Sequence, residues 1–187
     1  MRPIPVIAAV LVIAGIAAGA AFSVNAVDPV VAKRQDSMKA MADAAKTISG
    51  IFDGKLAYDA AVFKAAAETI RRRSGIAMVD EFPEGSFGAP SAAKAEIELS
   101  REEFAALAGH LETLAAALSS AADDAPDGIT ESMRMAPGMA MGSSLLGKRA
   151  GGAVAGDDPS KMPAEHLFHL MLQDCTNCHA KFREKRQ

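Results

Sequence analysis

Apolar residues recur every three or four positions along four separate stretches of the chain, and that period predicts four amphipathic helices. In the first, about residues 30–52, the inward face is Val30, Met38, Met41, Ala45 and Ile48; Asp28 followed by Pro29 starts it, and Gly50 and Gly54 close it. The second opens at Tyr58 and Asp59, with Asp59 as cap and Val62, Ala66, Thr69 and Ile70 sharing a face, and ends near Gly75. The third has the clearest stripe, Phe104, Leu107, Leu111, Leu114 and Leu118, and fades near Asp123. Ser100 caps it and Glu103, three residues on, completes a capping box. The fourth begins at about Pro163 and turns Leu167, Leu170, Met171, Cys175, Cys178, His179 and Phe182 inward before a basic tail, Lys181 to Arg186, that suits a helix C-terminus.

Between these stretches lie two connections of a different character. Residues 80–99 hold Phe82, Pro83, Glu84, Gly85, Ser86, Gly88 and Pro90, too many breakers for a helix interior. Residues 124–162 are rich in glycine and methionine and predict a flexible insert, with one short helix around Ser143 to Arg149. No strand-like alternation or internal repeat competes, so the architecture expected is an all-α, antiparallel four-helix bundle. Composition agrees: the 187 residues are 50% hydrophobic but only 5% aromatic, without tryptophan, which suits close-packed helices.

Ahead of the bundle, Arg2 precedes a nearly unbroken apolar run from Val6 to Phe22, and Val24 and Ala26 sit where a small-residue cleavage signal would. Residues 1–26 therefore read as a signal peptide, with the mature chain starting near Val27; an uncleaved N-terminal membrane anchor is the competing reading. Residues 27–187 make one domain. The net charge is −3, and loss of Arg2 with the leader makes it −4, which argues against nucleic acid as a partner.

Export places the chain where disulfides form, yet its two cysteines are three apart and followed by histidine. Cys175, Thr176, Asn177, Cys178 and His179 spell CTNCH, the spacing of a c-type haem attachment site. Two thiols one helical turn apart can both form thioethers with the haem vinyl groups, and the adjacent imidazole then faces the iron. A redox dithiol or half of a zinc site would share the spacing but expects a βαβ context or a second ligand pair.

With these residues in place the chain resembles the class II c-type cytochromes, the cytochrome c prime family, over roughly residues 30–122 and 163–187. The likeness is carried by Arg34, Gln35 and Met38, by the YDAA stretch Tyr58 to Ala61, by FPEGS from Phe82 to Ser86, and by CTNCHAKFR from Cys175 to Arg183. The resemblance implies one covalently attached haem c near the C-terminus of the bundle. It makes His179 the proximal iron ligand and sets Arg34 and Gln35 near the haem propionates. It matches Arg183 to the family's proximal-side arginine, although a solvated helix-end charge has the same chemistry. Met38 matches the distal position, where in some relatives a methionine binds iron and in others the residue only packs over an open site. An iron-bound thioether raises the haem potential and favours electron transfer, an empty position favours a small gas, and a methionine serving only as core filler is the plainer alternative.

Two departures stand out. Glu98 occupies the place of an expected tryptophan, and residues 124–162 enlarge the last connection. Met133, Met135, Met139 and Met141 form two MxM pairs there, a chemistry able to hold Cu(I), with His166 and His169 nearby in sequence; methionines covering apolar surface are the commoner case. His110 is expected to be partly exposed and without a special role. No nucleophile and base, phosphate loop or carboxylate pair is recognisable, so no enzyme is expected. The function expected is a periplasmic electron carrier that docks redox partner proteins through the basic cluster Lys181, Arg183, Lys185 and Arg186. The alternative is a haem protein that binds nitric oxide or carbon monoxide, and a copper-handling insert is the third reading. The resemblance also suggests a homodimer paired through the first two helices.

Overall fold

Asp28 opens the first helix by accepting the Val30 N–H on its carboxylate at 2.8 Å, and Pro29 supplies a pre-set first position. The computed structural model describes residues 28–88, 91–135 and 158–185, and this helix, α1, runs Pro29–Phe52. It stops where Gly54 takes a left-handed φ of 70° and the Lys55 and Leu56 N–H groups fold back onto the Gly50 carbonyl. Asp59 then caps α2, Ala60–Arg72, through the Val62 N–H at 2.9 Å.

The chain departs from its sequence pattern at the end of α2. Gly75, with φ 60°, breaks the run, and its Cα lies so close to the third long helix that an added Cβ would sit 1.9 Å from the Glu112 Oε2. A separate short helix follows, α3, Gly75–Asp80, whose Met78 and Val79 are buried. A further turn, α4, Glu96–Leu99, lies inside the expected connection and buries Ile97. It runs almost directly into α5, Arg101–Asp123, and this undoes the expected capping box. The Ser100 N–H already donates to the Glu96 carbonyl, the Ser100 side chain makes no capping bond, and Glu103 instead pairs with Lys181. Val62 is also off the expected face, 48% exposed, because the Asp59 cap phases α2 so that Phe63, Ala66, Ala67 and Ile70 point inward. On α1 the phase is shifted in the same way: Val31 is buried rather than Val30.

The last helix, α6, runs Ala164–Phe182. Backbone seams join α1 to α2, α2 to α5 and α5 to α6, with α3 laid against α5. Polar pairs give their direction: Lys64 meets Asp123 across α2 and α5, while Glu103 meets Lys181 and His110 meets Asp174 across α5 and α6, so the paired positions advance along one helix as they retreat along the other. This is the expected antiparallel four-helix bundle. Its core contains Ile48, Phe63, Phe104, Leu114, Leu118, Leu167 and Met171, each at most 1% exposed and each contributing about 1.5–3 kcal/mol by burial. The fourth side, between α1 and α6, is closed at one end by the Phe52 and Phe168 rings, 6.0 Å apart, and opens toward the other.

The start of the expected insert belongs to the core. Ala125 and Met133 are buried, Tyr58 donates its hydroxyl to the Ala125 carbonyl at 2.7 Å, and Arg134 reaches the Phe52 carbonyl at 2.7 Å and Glu165 at 3.3 Å. The short helix expected at 143–149 and the segment 1–26 lie outside the described residues. No described helix is long and apolar enough to cross a membrane.

Candidate functional site

The open side of the bundle forms a cleft in two lobes of about 370 and 420 Å³. Met38 and Ala42 from α1, and Cys178 and His179 from α6, line both. The inner lobe is walled by apolar groups, among them Met41, Ile70, Leu107, Leu111 and Phe168. The outer lobe is mixed: Phe82, Ile97 and Phe104 on one side, and Arg34, Gln35, Lys39 and Arg183 at its rim. The chain after α6 helps to shape this rim, for Lys94 and Glu184 donate their N–H groups to the Phe182 and Ala92 carbonyls at 3.0 and 2.8 Å.

At about 100° per residue, Cys175, Cys178 and His179 fall within roughly one quarter to one third of the α6 circumference, so one face presents all three. Both thiols are free and half-buried, and all three residues line the cleft. Burial pushes the Cys178 thiol up to about 11, helped by the neighbouring Cys175 and Asp174, and raises Cys175 as well. Thiols held neutral in this way are the reverse of the activated thiolate a redox dithiol needs. His179 has much of its surface open to the cleft, yet the walls desolvate its imidazole enough, with Arg183 adding like charge, to lower its pKa. A neutral imidazole is the form that binds a metal.

Arg34 shows most directly what the outer lobe fits. The residue is 3% exposed; its Nη2 donates to the Ser86 carbonyl at 2.7 Å, and its guanidinium lies 4.8 Å above the Phe82 ring. Its Nε and Nη1 are buried without any hydrogen-bond partner among the described residues, although the residue lines the cleft. Burial lowers its pKa, against the opposing fields of Asp28 and Glu81. Two unpaired donors on a buried cation are costly unless an anionic acceptor meets them, and a haem carboxylate is such an acceptor. With the two thiols and the imidazole on the facing helix, the residues present fit a covalently held haem. Gln35 and Arg183 are exposed at the same rim.

Behind Arg34, Ser37 donates to the buried carboxylate of Glu81 at 2.8 Å and accepts from Arg73 at 3.1 Å. The FPEGS loop is held from the other side by Glu98, which accepts the Gly85 N–H at 2.7 Å, so a carboxylate secures the loop where a tryptophan was expected.

Two readings need correction. His110 is not idle: its Nδ1 lies 2.6 Å from the Asp174 carboxylate, which lines the inner lobe beside Cys175. The 64 positions between them hid the pair, since nothing local in either helix marks it. Met133 is 3% exposed, its thioether taken up by the core, which removes it from a copper site. Met139 and Met141 lie outside the described residues. Met135 donates its backbone N–H to Glu165 at 2.9 Å, while His169 is exposed and His166 buries an Nδ1 that has no partner among the described residues.

A four-helix bundle whose last helix turns a CxxCH face into an apolar, cation-rimmed cleft defines a bundle-type c haem protein. The sequence profile of the family described as Cytochrome C′ matches residues 29–141, more than half of the chain. The chain belongs to the cytochrome c′ family. Among solved structures it is similar to cytochrome c prime from Alcaligenes xylosoxidans in its ferric form, at 20% identity over 84% of this chain and 94% of that one, with a TM-score of 0.58. It is similar also to cytochrome c′ from Rhodopseudomonas palustris, at 22% identity over 86% and 100% of the two chains, TM-score 0.56, and to cytochrome c prime from Shewanella frigidimarina, at 19% over 83% and 94%, TM-score 0.55. At these identities the likeness is one of fold. No curated protein matches the chain.

Proposed function

We propose that the chain carries one haem c through Cys175 and Cys178, with His179 as proximal ligand, and takes up a small uncharged gas, nitric oxide or carbon monoxide, on the Met38 side. The haem supplies one-electron chemistry and an iron position that accepts such ligands. The inner lobe carries the proposal: behind Met38 it is walled by Met41, Ala45, Ile70 and Leu111, surroundings that accept an uncharged diatomic without leaving a buried polar group unpaired. Arg34, Gln35 and Arg183 fix the propionate side, and the lowered pKa of His179 keeps its ring nitrogen free to ligate. Met38, half-buried on the wall, is the side chain that an incoming ligand displaces.

A second reading is favoured by one observation: Met38 lines both lobes together with His179. A thioether so placed is positioned to ligate permanently, and the protein is then an electron carrier that docks partner proteins beside Lys181 and Arg183. Under either reading the chain is exported to the periplasm, freed by cleavage near Val27 or held by an uncleaved anchor, and it is not an enzyme. The optical and EPR spectra of the haem-loaded protein, with and without carbon monoxide, separate the two. A high-spin spectrum, or rapid carbon monoxide uptake that Met38→Ala accelerates, supports gas binding. A low-spin ferric spectrum with a methionine-to-iron charge-transfer band, lost in Met38→Ala, and no reaction with carbon monoxide would replace that proposal with the electron carrier.

A further inference from the structure

Asp174 is an uncommon residue for its place. Among the described residues whose side chains line the inner lobe it is the single carboxylate, and Lys46 is the single lysine or arginine. The two do not balance. The Lys46 side chain is 78% exposed and paired with Asp43 at 3.1 Å, so water and a neighbouring charge screen it. The Asp174 side chain is 13% exposed and is held by the Nδ1 of His110, itself 35% exposed, at 2.6 Å. A second tie, Glu103 to Lys181, lies seven residues from the first along both helices. The turn that bears Cys175 and Cys178 is therefore pinned to α5 on either side, with the carboxylate next to it.

We propose that Asp174, held in place by His110, is the wall charge that lowers the reduction potential of the haem in this cleft. A negative charge in a weakly screened lobe favours the ferric iron, which carries one more positive charge than the ferrous form. Reduction moves one electron from an external one-electron donor to the iron, and Asp174 exchanges neither proton nor electron. Asp174 directly precedes Cys175, and both line the inner lobe, so its field acts on the attachment turn itself. This inference rests on the haem proposed above but not on the choice between gas binding and electron transfer.

Potentiometric titration of the haem-loaded full chain tests it. Asp174→Asn, nearly isosteric and uncharged, is expected to shift the ferric–ferrous equilibrium toward ferrous by about tenfold, close to 59 mV for one electron. Asp174→Glu, which keeps the charge, stays within about twofold of wild type, close to 18 mV on the same conversion. His110→Gln, which keeps an N–H donor, leaves the potential nearer wild type than His110→Leu does. An Asp174→Asn potential within about twofold of wild type, with an unchanged spectrum, overturns the proposal. So does failure of the Asn variant to attach haem, because the carboxylate would then act in attachment. A wild-type chain that attaches no haem would overturn the underlying function instead.

Discussion

Ser37→Ala removes one hydroxyl from the buried network behind Arg34 and should cost more than an ordinary serine. Ser37 is 2% exposed, and its Oγ donates to Glu81 at 2.8 Å while accepting from Arg73 at 3.1 Å. The other oxygen of Glu81 is buried without a partner among the described residues, and Lys33, on a well-exposed side chain, stands 3.9 Å from the oxygen that Ser37 holds. Loss of a hydrogen bond to a buried charged acceptor costs about 1.5–3 kcal/mol, because the carboxylate keeps its desolvation penalty. The Glu81→Met change should then depend on background. In wild type it removes a bonded carboxylate and its attraction to Arg34; in the Ser37→Ala background it removes an unbonded one. The cost of Glu81→Met should therefore be smaller by about 2 kcal/mol in the second case, the coupling that a double-mutant cycle isolates. Urea unfolding of the haem-loaded protein measures it. With m of about 1–3 kcal/mol/M, the coupling appears as a difference of about 1 M in midpoint shift. Costs that agree within about 0.5 kcal/mol in the two backgrounds would refute the network as an energetic unit.

Gly75→Ala is expected to cost about 1–2 kcal/mol for the left-handed backbone alone. The clash with Glu112, 1.9 Å from the added Cβ, adds to this, and thermal unfolding should show the added part recovered by Glu112→Ala. Glu68, bound through both oxygens to the Arg71 Nε at 3.0 and 2.9 Å, has its carboxyl pKa lowered chiefly by that bond. A depressed folded pKa gives stability that is present above the unfolded value of about 4.3 and is lost as pH falls through the folded value. Glu68→Gln should thus cost about 1 kcal/mol at neutral pH and nothing at acid pH, once the carboxyl is protonated in the folded and unfolded states alike; an equal cost at neutral and acid pH in urea unfolding would contradict the ion pair.

What could be read in advance was local. Asp28 and Asp59 are caps because a short acceptor before an apolar period has one use, and both make the expected bond. CTNCH is legible for the same reason, its chemistry lying within five consecutive residues. The failures each involve a partner distant in sequence. Ser100 and Glu103 spell a capping box, but α4 reaches the Ser100 N–H first and Lys181, 78 positions away, draws off the carboxylate. His110 gave no sign of Asp174, and Glu81 gave none of Ser37, because a polar residue near an apolar stripe looks the same whether water or a buried partner receives it. Met133 follows the commoner of its two readings: its spacing to Met135 allows a soft-metal pair, but tertiary packing uses the thioether in the core.

The polar groups that sequence could not place are concentrated around the cleft, and the bundle's topology explains why. Three seams, α1 with α2, α2 with α5 and α5 with α6, bury enough apolar surface to define the fold, and the fourth side is left to separate. A side without a helix seam still has to be held at a fixed width, and interior apolar packing cannot do that from within the cleft. Here the width is set from outside it: Phe52 against Phe168 at the closed end, Arg34 and Glu98 on the FPEGS loop at the open end, and His110 and Glu103 holding α6 against α5. The inner wall, with Ile70, Leu111 and Met171, is continuous with the core, so a group that packs there in the native state alone stabilises the fold while it is being positioned. Site and core are then one surface, and residues such as Asp174 that interrupt its apolar character are the ones whose charge a bound redox group will feel.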